Sequence, residues 1–206
     1  MDRRPTGKPD PGNRGPCWLT TLGHAKDSLW SVDLFRCESI ILKSHWVLVV
    51  MDRYTRKIIG FAVHAGNVDG SALCRMFNEA TSGQGWPRFL STDNDPLFQY
   101  HRWKANLRVL DIEEIKSLPY IPMSHPFVER LIGSVRRELL DQTLFWTVAD
   151  LENKLRKYQS YYNNCRTHSG LDGATPVQTV EHKVVDISQY RWEKHCRGLF
   201  QLPIAA

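Results

Sequence analysis

Three runs within the first third of the chain limit what it can fold into. Residues 29–35, 46–51 and 57–64 are each rich in apolar, β-branched and aromatic residues, the make-up of strands that pack against a core. The link between the second and third, Asp52-Arg-Tyr-Thr-Arg, is polar and short enough for a hairpin turn. Three adjacent antiparallel strands are therefore expected. Over residues 70–82 the period changes, with Ala72, Leu73, Met76, Phe77 and Ala80 at helical spacing until Gly83-Gln-Gly-Trp-Pro ends the pattern. A short strand over 88–91 follows, and 112–118 reads as another; 97–110, between them, mixes aromatic and basic residues. Strands first, then helix and strand in alternation, predict an α/β fold with a mixed five-stranded sheet flanked by helices.

The second half is punctuated by proline. Leu118-Pro-Tyr-Ile-Pro-Met-Ser-His-Pro carries three prolines and reads as an extended loop. Pro126 then occupies a first helical position, and Phe127, Val128, Leu131, Ile132, Val135 and Leu139 trace one apolar face. A second helix is expected over 148–162, ending near Asn163-Asn164, and the last forty residues carry only weak strand or tail signals. At the other end, residues 1–16 hold four prolines, three glycines, Arg3, Arg4, Lys8 and Arg14, a mixture that buries almost nothing and reads as a loose basic arm.

Composition narrows the function classes. With 42% apolar and 24% charged residues, the 206-residue chain is an ordinary folded protein. Its 27 Lys and Arg against 22 Asp and Glu leave a net charge of +5, which favours a polyanionic partner such as nucleic acid. Five cysteines, odd in number and never in a CxxC pair, argue against a disulfide framework or a cysteine zinc finger. Cys165 with His168, and His195 with Cys196, are too isolated for a zinc site. No apolar run approaches the roughly 20 residues that span a bilayer, and the start lacks a signal-peptide core, so no membrane partner and a cytoplasmic location are expected.

Three carboxylates stand where carboxylates are costly or exposed to use. Asp33 interrupts the apolar run Leu29-Trp-Ser-Val-Asp-Leu-Phe, where it needs a hydrogen bond, a partner or a cation. Asp93 follows the short strand, a position from which α/β folds commonly present site residues. Glu129 lies in the first turn of the proline-led helix. On a wheel of about 100° per residue it borders the apolar face, with Gly133 and Arg136 on its own side, and so is expected to look towards the sheet edge rather than into bulk water. Acids from a strand centre, a strand end and a facing helix suit Mg²⁺, which takes oxygen ligands and leaves room for a substrate phosphate. Two such ions serve in-line displacement at phosphorus. The same residues also fit a core acid held by hydrogen bonds and a charge favoured by the helix dipole. Spacing alone does not choose, since Asp2 and Glu38 are separated by the same 35 residues as Asp93 and Glu129.

At these residues the chain strongly resembles the integrase catalytic core of retroviral integrases and insertion-sequence transposases, the DDE superfamily of RNase H-like fold. The match runs through Trp30-Ser-Val-Asp, Val49-Val-Met-Asp-Arg-Tyr-Thr-Arg-Lys-Ile-Ile-Gly-Phe, Ser91-Thr-Asp-Asn, His125-Pro-Phe-Val-Glu-Arg, Tyr161-Tyr-Asn-Asn-Cys-Arg-Thr-His-Ser-Gly-Leu and Thr175-Pro. The resemblance implies an integrase-type catalytic core over 25–180, between a flexible basic arm over 1–24 and a C-terminal extension over 181–206. It implies that Asp33, Asp93 and Glu129 hold two Mg²⁺ ions, for which Mn²⁺ can substitute, and that Arg136, seven residues after the glutamate, meets a phosphate. The implied activity is a polynucleotidyl transferase that nicks the DNA ends of a mobile element and joins the 3′-hydroxyl to target DNA by transesterification. Arg130, Arg136, Arg137 and Lys116 are the candidate DNA contacts, with Arg102, Lys104 and Arg108 around Trp103 as further ones; each is also readable as a solvated charge.

Two departures qualify the resemblance. Asp93-Asn94-Asp95 replaces the Asp-Asn-Gly or Asp-His-Gly of many relatives, so an extra carboxylate stands beside the site and the backbone is less free to take positive φ. No helix-turn-helix or His/Cys zinc module fits the first 24 residues, so a separate helix-turn-helix subunit is an expected partner, besides element and target DNA and further copies of the chain. The place of work would be the nucleoid of a bacterial cytoplasm. A catalytically silent, DNA-binding or subunit-interaction remnant of a transposase, and a related RNase H-like nuclease, are the alternative readings.

Overall fold

In the computed structural model, which describes residues 29–116, 126–177 and 190–205, the three apolar runs are three adjacent antiparallel strands. β1 (Leu29–Glu38) pairs with β2 (Ser44–Asp52) from Trp30 opposite Asp52 to Glu38 opposite Ser44, and β2 pairs with β3 (Ile58–Ala65). In the β2–β3 link the Asp52 carboxylate accepts the backbone N–H groups of Tyr54 at 2.7 Å and Thr55 at 3.1 Å, an aspartate turn closed by Arg56 at φ +64°. α1 (Gly70–Ala80) then crosses over to β4 (Phe89–Thr92), which pairs parallel with β1. A 3₁₀ turn (Pro96–Gln99) and α2 (His101–Val109) lead to β5 (Glu113–Lys116), parallel to β4. The sheet order is β3-β2-β1-β4-β5. The mixed five-stranded sheet read from the sequence is thereby found.

The first three strands read as nearly continuous apolar runs because both faces of the sheet are covered. Trp30, Val32, Leu48 and Val50 point to one side, where they pack with Phe77, Phe98 and Trp103 of α1, the 3₁₀ turn and α2. Phe35, Val47, Val49 and Met51 point to the other, beneath α3 (Pro126–Val135), which runs on through a wider π-type turn (Arg136–Leu140), and α4 (Val148–Asn164). Gly60 lets α1 approach β3 closely: a Cβ there would fall 1.9 Å from the Ala80 carbonyl oxygen. On the other side α4 grips the same edge strand through polar contacts. The Asn163 side chain accepts from the Ile58 N–H at 2.8 Å and donates to the Ile58 carbonyl at 2.9 Å, while Gln159 donates to the Ile59 carbonyl at 2.8 Å.

Side chains fix where the helices start. The Asp69 carboxylate accepts from the Ala72 N–H at 2.7 Å at the head of α1, and the Thr147 hydroxyl accepts from the Asp150 N–H at 3.2 Å at the head of α4. Three elements carry no clear sequence signal. α2 is anchored by only Trp103 and Leu107 among charged and polar neighbours. β6 (Tyr190–His195) and β7 (Phe200–Ala205) form a separate two-stranded ribbon, docked by Phe200 stacked on Tyr161 with ring centroids 4.2 Å apart. The basic arm over 1–24, the proline loop over 118–125 and residues 181–189 of the extension lie outside the described residues. Among those described, no helix is long and apolar enough to cross a membrane.

Candidate active site

The pairing of β1 with β4 is what first brings two of the acids together. Trp30 is level with Leu90 and Ser31 with Ser91, and each acid follows two residues after that last pair, Asp33 within β1 and Asp93 one residue beyond the end of β4. Neighbouring strands run about 4.8 Å apart. On its other side Asp33 faces Val49 across the antiparallel pair, so its side chain shares the face covered by α3 and α4.

Asp33 is part-buried, and the Leu34 N–H donates to its Oδ1 at 2.7 Å. Its carboxyl is nevertheless pushed up to about 7, first by burial, then by Asp93, with Glu129 and Asp95 adding to the effect; the Leu34 N–H opposes them. Four carboxylates thus share one field, and among the described residues no salt bridge is made to Asp33. Asp95 has a structural duty there. Its Oδ1 accepts from the Leu97 N–H at 2.8 Å to start the 3₁₀ turn, and its own N–H donates to Asp93 Oδ1 at 3.0 Å. None of residues 93–95 is among the positive-φ positions, so the missing glycine costs the backbone nothing.

Glu129 sits in the first turn of α3, as its proline-led start predicts, but it is exposed. This corrects the expectation that it looks towards the sheet edge and away from bulk water. The buried stripe of the helix is Val128, Leu131 and Val135, which turns Glu129 outward while leaving it within electrostatic reach of Asp33. Among the described residues no three His, Cys, Asp or Glu side chains are drawn close enough to form a ready-made metal cage. The donor set still fits a hard divalent cation: oxygen donors only, mutually repelling, on three separate elements.

The basic residues singled out from the sequence spread over several surfaces. Arg136 lies two turns beyond Glu129, where its Nη2 donates to the Arg36 carbonyl at 3.2 Å and its guanidinium sits 5.4 Å from the Phe35 ring centre. Lys116, exposed at the end of β5, donates to Gln99 Oε1 at 2.7 Å. Arg130 and Arg137 are exposed on a flank of α3 about 100° round from Glu129, and Arg137 lies along Gly133. Arg102, Lys104 and Arg108 ride α2 on the opposite face of the sheet. Sequence reasoning passed over Glu138, whose carboxylate takes Arg166 Nη2 at 2.7 Å and the Tyr158 hydroxyl at 2.9 Å. Burial and the neighbouring Glu138 hold the Tyr158 phenol protonated. The signal available was the Arg166-Thr-His168 triplet directly after α4.

Comparison with known proteins gives this chain relatives. The family model described as Integrase core domain matches residues 110–176. The chain is 28% identical over 149 residues to the insertion element IS476 uncharacterized 39.2 kDa protein of Xanthomonas euvesicatoria, covering 72% of this chain and 43% of that protein. It is 27% identical over 135 residues to the transposase for insertion sequence element IS904 of Lactococcus lactis, covering 64% of this chain and 53% of the transposase. The chain therefore spans about half the length of the curated relatives it matches. In fold it is similar to the HTLV-2 integrase catalytic core domain solved in complex with magnesium, with a TM-score of 0.56, 19% identity, and coverage of 73% of this chain and 93% of that one. The resemblance to integrase and transposase cores, and the RNase H-like fold it implies, are borne out.

Proposed function

We propose that this chain is the catalytic core of a DNA-transferring enzyme of the DDE type, which nicks an element's DNA end and joins the freed 3′-hydroxyl to target DNA. The observation that carries the reading is the shared field of Asp33, Asp93 and Glu129, in which burial and the neighbouring carboxylates raise the proton affinity of Asp33. Asp33 on β1, Asp93 just past the end of the adjacent β4, and Glu129 on α3 are the residues that would hold two divalent ions, magnesium or manganese. When bound, the ions supply positive charge to the attacking and leaving oxygens of an in-line displacement. The protein's own part is positional. Leu34 N–H and Asp95 N–H fix one oxygen each of Asp33 and Asp93, so both acids present their remaining oxygens in a set direction. In the joining step one phosphodiester bond forms as another breaks, with the proton of the attacking hydroxyl passing to solvent and the departing 3′-oxygen taking one up. No covalent enzyme intermediate is needed. Lys116 and Arg136, on either side of the acids, would meet the DNA backbone, and further copies of the chain would bring two ends together.

The test is incubation of the protein with a labelled DNA end, target DNA and Mg²⁺. Joined products are expected, and Asp33→Asn should lower joining by about 10³-fold or more, since the charge it removes faces the reacting phosphate. Cleaved but unjoined DNA would make the chain a nuclease, and binding without either product a silent remnant.

A further inference from the structure

A second charged site lies on the other flank of the same helix. Between α3 and the segment after α4 is a pocket of about 400 Å³ whose lining includes Arg56, Arg130, Arg137, Arg166 and His168 and, among the described residues, not one carboxylate. Among the described residues, Arg166 is the only one of these arginines in an ion pair, with Glu138. Four guanidinium groups around one depression repel one another unless an anion joins them.

Two buried donors in this lining have no acceptor among the described residues: Arg56 Nη1 and His168 Nε2. The tautomer of His168 follows from its neighbour. Arg166 Nη1 lies 3.4 Å from His168 Nδ1, and an arginine nitrogen can only donate, so Nδ1 accepts and the ring proton belongs on Nε2. Burial, with Arg166 next in effect, lowers the proton affinity of His168, so it offers a hydrogen bond rather than a charge. Arg56 is held in place at some cost. Its guanidinium sits 3.2 Å from the centre of the Phe127 ring, and its backbone takes φ +64°, a conformation that favours glycine. An arginine kept in a turn where glycine would be easier points to a use for its side chain.

We propose that this pocket holds a backbone phosphate of DNA, with Arg56, Arg166 and His168 as the donors inside and Arg130 and Arg137 at the rim. The oxygens of a phosphodiester accept from the fork of an arginine and from His168 Nε2 without needing a base-specific contact. Arg130 directly follows Glu129, so a strand engaged at the acids passes within reach of the pocket, and this assignment rests on the DNA-transfer reading above. The site is a positioning one, since it touches DNA away from the reacting bond.

Binding of a fluorescent duplex oligonucleotide, followed by anisotropy in EDTA as KCl is raised, tests it. Arg56→Gly relieves the turn, so its melting temperature should equal or exceed that of the parent. Its DNA affinity should fall about 10-fold, with the log–log salt slope reduced by about one. Arg75→Gln, which removes the same charge from exposed α1, should change neither. An unchanged slope in Arg56→Gly, or an equal fall in Arg75→Gln, overturns the assignment. The two readings fail separately. Joining activity alongside an unaltered Arg56→Gly slope removes only the phosphate pocket, whereas a reduced slope in a protein that joins no ends removes only the transfer reading.

Discussion

Under α1 and α2 the sheet meets Phe77, Phe98 and Trp103, rings packed 5.2–5.3 Å centre to centre around the fully buried Trp103. Under α3 and α4 it meets a different material: Asp33 among acids, the Glu138–Arg166–Tyr158 cluster, the Asn163 clasp and the arginine-lined pocket. One face is nearly pure hydrocarbon and aromatic packing, while the other mixes a comparable apolar core with groups that cost energy to keep. Stability and chemistry are divided between two sides of one sheet. The division is economical because β1 belongs to both, with Val32 packed on one side and Asp33 on the other.

Breaking the apolar face should have the largest effect. Trp103→Ala removes a fully buried indole and is expected to cost about 5 kcal/mol by urea unfolding, leaving any surviving folded protein with its acids in register. On the charged face a comparable change should stabilise. Because the folded-state proton affinity of Asp33 is raised to about 7 from an ordinary 3.8, its contribution to stability is full below about pH 4 and is lost as pH rises through 7. In EDTA, Asp33→Asn should therefore match wild type near pH 4 and exceed it by up to about 4 kcal/mol at pH 8. Added Mg²⁺ should narrow that gap, and equal stabilities throughout would show that the acids do not burden the fold. The smallest effect sharpens the comparison from within the charged face. Asn163→Ala strips two hydrogen bonds from Ile58 and should cost about 2 kcal/mol, loosening α4 from the edge strand while sparing the packing under α1. Hydrogen exchange at Ile58 against Leu73 would locate the loss.

Much of this was written in the sequence. The apolar, β-branched and aromatic runs located β1, β2 and β3 within a few residues, helical spacing located α1, Pro126 marked the first turn of α3, and α4 fell where a second helix was expected. α2 escaped because its two buried anchors, Trp103 and Leu107, leave seven of nine positions polar, charged or only partly covered. The β6–β7 ribbon escaped because its docking depends on Tyr161, far away on α4. Asp33 stood out because a carboxylate in an apolar strand needs a reason, and Glu129 because it follows a helix start. Arg56 did not stand out, since a positive charge in a turn is ordinary until the turn is seen to bend left-handed over Phe127.

Local sequence, then, settled the first three strands, three of the helices and which acids were out of place, because periodicity and burial cost act over a few neighbouring residues. Only the folded sheet decided that Asp33 and Asp93 share one electrostatic field, that Asp95 caps a turn, and that Arg56, Arg137 and Arg166 meet around one cavity. Those facts depend on strand register and helix docking between segments up to about a hundred residues apart, and short-range patterns do not encode contacts at that separation.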